Sequence, residues 1–169
     1  MSRPATVLFL CTGNAARSVM GAVALAQLRP DLQVASAGTL TVDGLPISWR
    51  TKAALDDVGL PTPAHRSRQA TAADLDAADL IVAMAPEHVA WVRREHPAFA
   101  GRTATIKHLT GALDPGPAPL AARVAPLDLA GHVPTDLEEV ADPGGGEVDV
   151  FIACAREVVD LVGRLAGLL

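Results

Sequence analysis

Cys11 and Arg17 stand six positions apart in "VLFLCTGNAARS", where an apolar, strand-like run gives way to small polar residues and then to a helix-like run. Between them lie Thr12, Gly13, Asn14, Ala15 and Ala16, with no bulky side chain to keep a ligand off the backbone. Amide N–H groups that curl from a strand end into a helix amino terminus make an anion nest, and the helix dipole adds to it. A phosphate-sized dianion fits such a cradle, with Arg17 folding back to bind two of its oxygens in a fork. Cys11 then lies beneath the phosphorus, where the same positive field favours its thiolate, the nucleophilic form. Ser18 can donate its hydroxyl to the sulfur and ease its later departure. Gly13 and Asn14 are the residues best suited to the left-handed backbone angles of the curl. A glycine-rich nucleotide loop is the competing reading of this position. It fails on residues: neither G-x-G-x-x-G nor G-x-x-x-x-G-K-[ST] occurs, and no lysine is near.

The elements that must hold this loop alternate. "TVLFL", "LQVASA", "DLIVAM" and "RTATIKHL" predict strands, and the stretches near 18–29, 47–58, 86–96 and 148–168 predict helices. Strands separated by helices imply an α/β domain whose parallel sheet is covered on both faces, with ligands outside the carboxyl ends of the strands. The Cys11 loop occupies that position. In the last helix Val148, Phe151, Ala155, Val158, Val162 and Leu165 share one face, and Cys154 beside them reads as a small buried hydrophobe. Residues 110–134, "TGALDPGPAPLAARVAPLDLAGHVP", carry five prolines and three glycines and predict a long surface loop with one helical turn. Such a loop is either a tolerated insertion or a wall beside the site.

The 169 residues, 50% of them hydrophobic, suffice for one domain with a sizeable core. A formal charge of −5 argues against nucleic acid or anionic membrane as a partner, since both select a basic face. The start "MSRPATVLFLCTG" is too short in apolar residues for a signal-peptide core, and no run of about 18 apolar residues occurs, so a cytoplasmic protein is expected. With 2 cysteines in segments of opposite character, a disulfide framework is not expected and a reducing compartment fits. His88, His96, His108 and His132 show no metal-ligand spacing, and no metal is assigned.

"VLFLCTGNAARS", followed in order by "SAGT", "HRSRQAT", "DLIVAM" and "VADPGGGEVDVF", resembles the low-molecular-weight protein tyrosine phosphatases, a family related to thioredoxin-type arsenate reductases. The resemblance implies a single domain over 1–169, a flavodoxin-like four-stranded parallel sheet of the phosphotyrosine phosphatase I type, and a phosphocysteine mechanism with no cofactor or metal. Its substrate would be a phosphorylated protein or a small phosphomonoester. Cys11, Arg17 and Asp142 match the nucleophile, the phosphate-binding arginine and the acid that then activates water. Residues 12–18 match the phosphate loop, and Asn14, Ser18, Ser36 and His65 match the network that shapes it. By residue type alone, Asp142-Pro143 and Asp114-Pro115 are both ordinary turn chemistry, and Asp136 and Asp149 are alternative acids.

Some residues depart from the family pattern. Ala16 stands where a second loop cysteine is common, and Val19 where proline is. Val42 and Gly144 stand at mouth positions that are often aromatic, and the chain has no tyrosine. Two other activities fit the same loop: arsenate reduction with an external thiol, and non-catalytic phosphate binding in a regulatory module. The thiol-relaying arsenate reductases carry further cysteines near the third strand, and none lies between Thr12 and Ala153 here.

Overall fold

The structure is a computed structural model that describes residues 3–169. Among the described residues four strands, β1 (Thr6–Cys11), β2 (Gln33–Gly38), β3 (Leu80–Ala83) and β4 (Thr103–Thr105), form one parallel sheet in the order β2-β1-β3-β4. Each crossover contains a helix: α1 (Arg17–Leu28), then α2 (Trp49–Asp57) and α3 (Ala72–Ala77), then α4 (Pro86–Glu95). Beyond β4 come α5 (Ile106–Ala112), α6 (Leu120–Val124) and α7 (Val148–Ala166). Among the described residues, no helix is long and apolar enough to cross a membrane.

β1 is central, so both of its faces must be apolar, and its run of alternating large side chains divides two cores. Val7, Phe9 and Cys11 face a layer with Met20 and Leu25 of α1, Leu55 of α2 and Val158 and Val162 of α7. Leu8 and Leu10 face the opposite layer, with Leu75 of α3 and Val92 of α4. The cysteine therefore points toward α1 and α7. From β1 the chain goes to β2 on one side and from β3 it goes to β4 on the other, so the crevice at the carboxyl ends of β1 and β3 is the topological switch point where such sheets bind ligands.

Two segments differ from the sequence reading. The predicted strand over "RTATIKHL" ends at Thr105, because the Thr105 side chain accepts from His108 N at 3.1 Å and caps α5. The stretch "TAAD" is a capping box, Thr71 with Asp74, that starts the short α3. Within 110–134, Leu113, Leu120, Val124 and Leu129 are buried in the main core, so apolar side chains anchor this proline-rich stretch. Residues 116–123 border a cavity with Arg3, Asp31 and Asp79, at the amino ends of the strands. That end is opposite to the Cys11 loop, and these residues form no wall of its site.

Gly38 ends β2 in register with Cys11. A Cβ there would meet Thr12 O at 2.5 Å and Asn14 N at 3.1 Å, so the loop's backbone occupies the space that any side chain would need. Gly38→Ala should lower stability by about 1–3 kcal/mol through overpacking against backbone that cannot move aside. Urea unfolding would measure this, and an unchanged midpoint would show that the loop yields freely.

Candidate active site

The loop from Cys11 to Arg17 closes without regular secondary structure, and one residue bends it. Asn14 has φ of +51°, in the left-handed region, whereas Gly13 does not. The expectation that both residues take such angles therefore holds for Asn14 only. Asn14 is fully buried, and its side chain is used at both ends. Nδ2 donates to Ser18 Oγ at 2.9 Å and to Ser36 Oγ at 3.0 Å, while Oδ1 accepts from Arg68 N at 3.0 Å. His65 Nε2 donates to Asn14 O at 2.7 Å, which places its proton on that nitrogen. Thr51 of α2 donates to Ala15 O at 3.0 Å and holds the loop's far side. The four residues assigned to a supporting network thus lie together, and Thr51 and the Arg68 backbone join them.

Cys11 Sγ lies 2.9 Å from Ser18 Oγ at the floor of a pocket of about 390 Å³. Thr12, Gly13, Ala15, Ala16 and Arg17 line it from the loop, Thr51 of α2 and its N-cap Ser48 from another side, and Asp142, Gly144 and Phe151 from the third. Arg17 is 2% exposed, an uncommon place for a charge. Nη1 donates to Val140 O at 2.9 Å, and Nη2 lies 3.5 Å from Asp142 Oδ2 and 4.0 Å from Glu87 Oε1. Gly144 N donates to Asp142 Oδ1 at 2.9 Å and fixes the carboxylate's direction. Asp136 and Asp149 are exposed and do not line the pocket.

Of the two mouth positions, Gly144 lines the pocket and Val42 does not. Val42 is exposed, and its carbonyl is turned toward Ser67 Oγ at 2.6 Å. One aromatic side chain, placed in a helix by its periodicity, lines the pocket, and a second is exposed close by. Phe151 of α7 lines the pocket, and Trp49, next to the lining residue Ser48, is 62% exposed. Cys154, by contrast, is buried in α7, and burial pushes its thiol up to about 12.

His88 is a buried residue against the Cys11 loop that sequence spacing misses. It lies just beyond the carboxyl end of β3, the position in such sheets where side chains reach the ligand side, and that was the available signal. It is 1% exposed, with Nε2 3.0 Å from Thr12 Oγ1, whose hydroxyl lies 3.3 Å from Glu87 Oε1. Among the described residues Nδ1 has no partner. A bare acceptor is cheaper to bury than an unpaired N–H, so Nε2 carries the proton and the ring is neutral. Burial, then the Arg17 charge, lower its pKa from 6.5 to about 3. Between these values the unfolded chain binds a proton here that the folded chain does not, so stability falls as pH falls. His88→Gln should flatten the acid side of the stability profile by up to about 1.4 kcal/mol per pH unit. Urea midpoints measured between about pH 6 and 4 check this, and parallel curves for the two proteins would refute it.

The same geometry has relatives. A family model described as low molecular weight phosphotyrosine protein phosphatase matches residues 6–116. A protein-arginine-phosphatase of Geobacillus stearothermophilus is 30% identical over 164 residues, 96% of this chain and 95% of that protein. The low molecular weight protein-tyrosine-phosphatase PtpB of Staphylococcus epidermidis is 26% identical over 94% of this chain and 95% of its own. The solved structure of the YwlE arginine phosphatase from Geobacillus stearothermophilus superposes with a TM-score of 0.77 at 30% identity, covering 96% of this chain and 91% of that one. With its switch-point loop, its parallel sheet and these matches along nearly the whole length, the chain belongs to the low molecular weight phosphotyrosine protein phosphatase family.

Proposed function

We propose that the protein is a cysteine-dependent phosphatase that hydrolyses phosphorylated side chains of proteins or small phosphomonoesters through a phosphocysteine at Cys11. One observation carries this reading: the Cys11 sulfur, the buried Arg17 guanidinium and the Asp142 carboxylate converge on one pocket, with Arg17 and Asp142 3.5 Å apart. In the first step the loop N–H groups and Arg17 hold the phosphoryl oxygens while the Cys11 thiolate attacks phosphorus. Asp142 gives its proton to the leaving oxygen. In the second step the Asp142 carboxylate takes a proton from water, whose oxygen attacks the phosphocysteine. Ser18 then donates a hydrogen bond to the departing thiolate. His88, neutral, orients the Thr12 hydroxyl at the loop's edge. The free, buried thiols of Cys11 and Cys154 suit a reducing cytoplasm. Arsenate reduction on the same nest would need an external thiol, because Cys154 is locked in the core as a thiol.

Cys11→Ser should bind vanadate yet turn nothing over, since a hydroxyl does not ionise near neutral pH but the nest remains. Asp142→Asn should cost more with an alkyl phosphate than with p-nitrophenyl phosphate, whose leaving group needs little protonation. Kinetics of both substrates decide it, and an equal loss would remove Asp142 from the acid role.

A second reading of the substrate rests on the match with the Geobacillus arginine phosphatase over 96% of this chain. Phosphoarginine carries a guanidinium beside the phosphoryl group. The half-exposed carboxylates of Asp142 and Glu87 flank Arg17 where such a cation would sit. Peptides carrying phosphoarginine or phosphotyrosine separate the two readings by their kcat/KM. If phosphotyrosine is preferred, Trp49→Ala should raise KM for that peptide by about 2- to 10-fold, the scale of one aromatic contact. Faster turnover of phosphoarginine, with no effect of Trp49→Ala, selects the arginine substrate.

A further inference from the structure

Away from the phosphate pocket, at the carboxyl end of β4, three side chains from separate parts of the chain share one small space: His108 of α5, and His132 and Glu138 from the segment between α6 and α7. The atoms through which they could bind an ion all lie within 4.8 Å of one another. His132 Nε2 is 3.0 Å from Glu138 Oε2 and 3.2 Å from Oε1. The two imidazole rings stack, with centroids 3.6 Å apart and planes 14° from parallel.

The carboxylate is positioned by other groups. Thr105 Oγ1 donates to Glu138 Oε1 at 2.6 Å, and Thr135 N donates to Oε2 at 2.9 Å. The same Thr105 oxygen accepts from His108 N at 3.1 Å, so one hydroxyl places two of the three residues. Burial opposes ionisation of Glu138, but the hydrogen bonds from Thr105, the Thr135 backbone and His132 outweigh it and lower its pKa. Burial, then the neighbouring His132, lower the pKa of His108. Two imidazoles stacked this closely cannot both carry charge without repulsion.

A His132–Glu138 ion pair alone would account for one ring and leaves the second, stacked upon it, with no role. Two imidazoles and an oriented carboxylate are instead the donor set that zinc-type ions select, and such ligands are commonly held by hydrogen bonds of the kind Thr105 and Thr135 make here. Donors about 2.0–2.2 Å from a tetrahedral ion lie roughly 3.3–3.5 Å apart. His132 and Glu138 are already near that separation, and the His108 ligand atom lies within 4.8 Å of theirs.

We propose that His108, His132 and Glu138 form a binding site for a divalent transition-metal ion of the zinc class, separate from the phosphate pocket. The ion would tie α5 to the strap that delivers the acid. Two residues beyond Glu138, Val140 donates its N–H to Met84 O at 2.8 Å and accepts from Arg17 Nη1, and two further on stands Asp142. Lys107 of α5 already holds the Glu139 carbonyl at 2.6 Å on the same path.

The test is zinc titration of the full-length protein against a chromophoric chelator. One equivalent should bind, with the same affinity in Cys11→Ser, which removes the nest thiolate as a competing ligand. Affinity should fall at least about tenfold in His132→Ala and in Glu138→Gln. Histidine ring NMR of the unsubstituted protein provides a readout that depends on no variant's folding. One equivalent of zinc should shift the His108 and His132 resonances and leave those of His65, His88 and His96 in place. Absence of stoichiometric binding, binding lost in Cys11→Ser, full affinity in both ligand variants, or shifts at His65 or His88 instead would each overturn the site.

Discussion

A loop that turns its N–H groups inward toward an anion must turn carbonyls outward, and it has no regular structure in which to satisfy them. Asn14 resolves this conflict. Its left-handed backbone makes the curl, and its buried amide group supplies the hydrogen bonds that a helix or sheet ladder would otherwise provide. The partners come from the helix start, from β2 and from the chain before α3, so the nest keeps its shape only when all three are docked. An unmet bond at any one of them would leave a buried polar group exposed to its full desolvation cost, about 1–3 kcal/mol each. The close approach at Gly38 and the His65 contact to the Asn14 carbonyl serve the same constraint.

The buried Arg17 imposes a second constraint, on the segment that carries Asp142 rather than on the nest. A guanidinium with so little contact with water is tolerable only when its donors are met. The Val140 carbonyl meets one of them, and the carboxylates of Asp142 and Glu87 offset its charge. The buried guanidinium therefore also draws the segment of Val140 and Asp142 to the pocket.

Around this centre the sheet is a positioning device. The alternation along β1 sends Cys11 to the α1 and α7 side, where Phe151 closes one wall, and the parallel pairing brings the carboxyl ends of β2 and β3 to the same rim. His88 and Thr51 are polar residues buried at that rim, each with a hydrogen bond to the loop or its edge. They rigidify the loop through helices that approach from opposite faces of the sheet.

The residues within a few positions of one another were legible without coordinates. The strand-loop-helix of 7–28, the alternation of strands and helices, and the amphipathic last helix all arise from local periodicity and from residue types that a nest requires. Cys11, Arg17 and Ser18 follow from that stretch alone, because their spacing along the chain is also their spacing in space. Asp142 was separable from Asp136 and Asp149 by resemblance only, since a turn aspartate carries no local mark of what it faces. The end of β4 at Thr105 turned on one cap that reads equally well as a strand residue, and Trp49 and Phe151 read only as helix positions. Tertiary structure alone decided that Gly144 lines the pocket while Val42 points away, that His88 is neutral beneath Thr12, and that His108, His132 and Glu138 meet. Each of these depends on where two elements far apart in sequence come to rest. A periodicity records which face of an element is buried, but not which side chain of another element it is buried against.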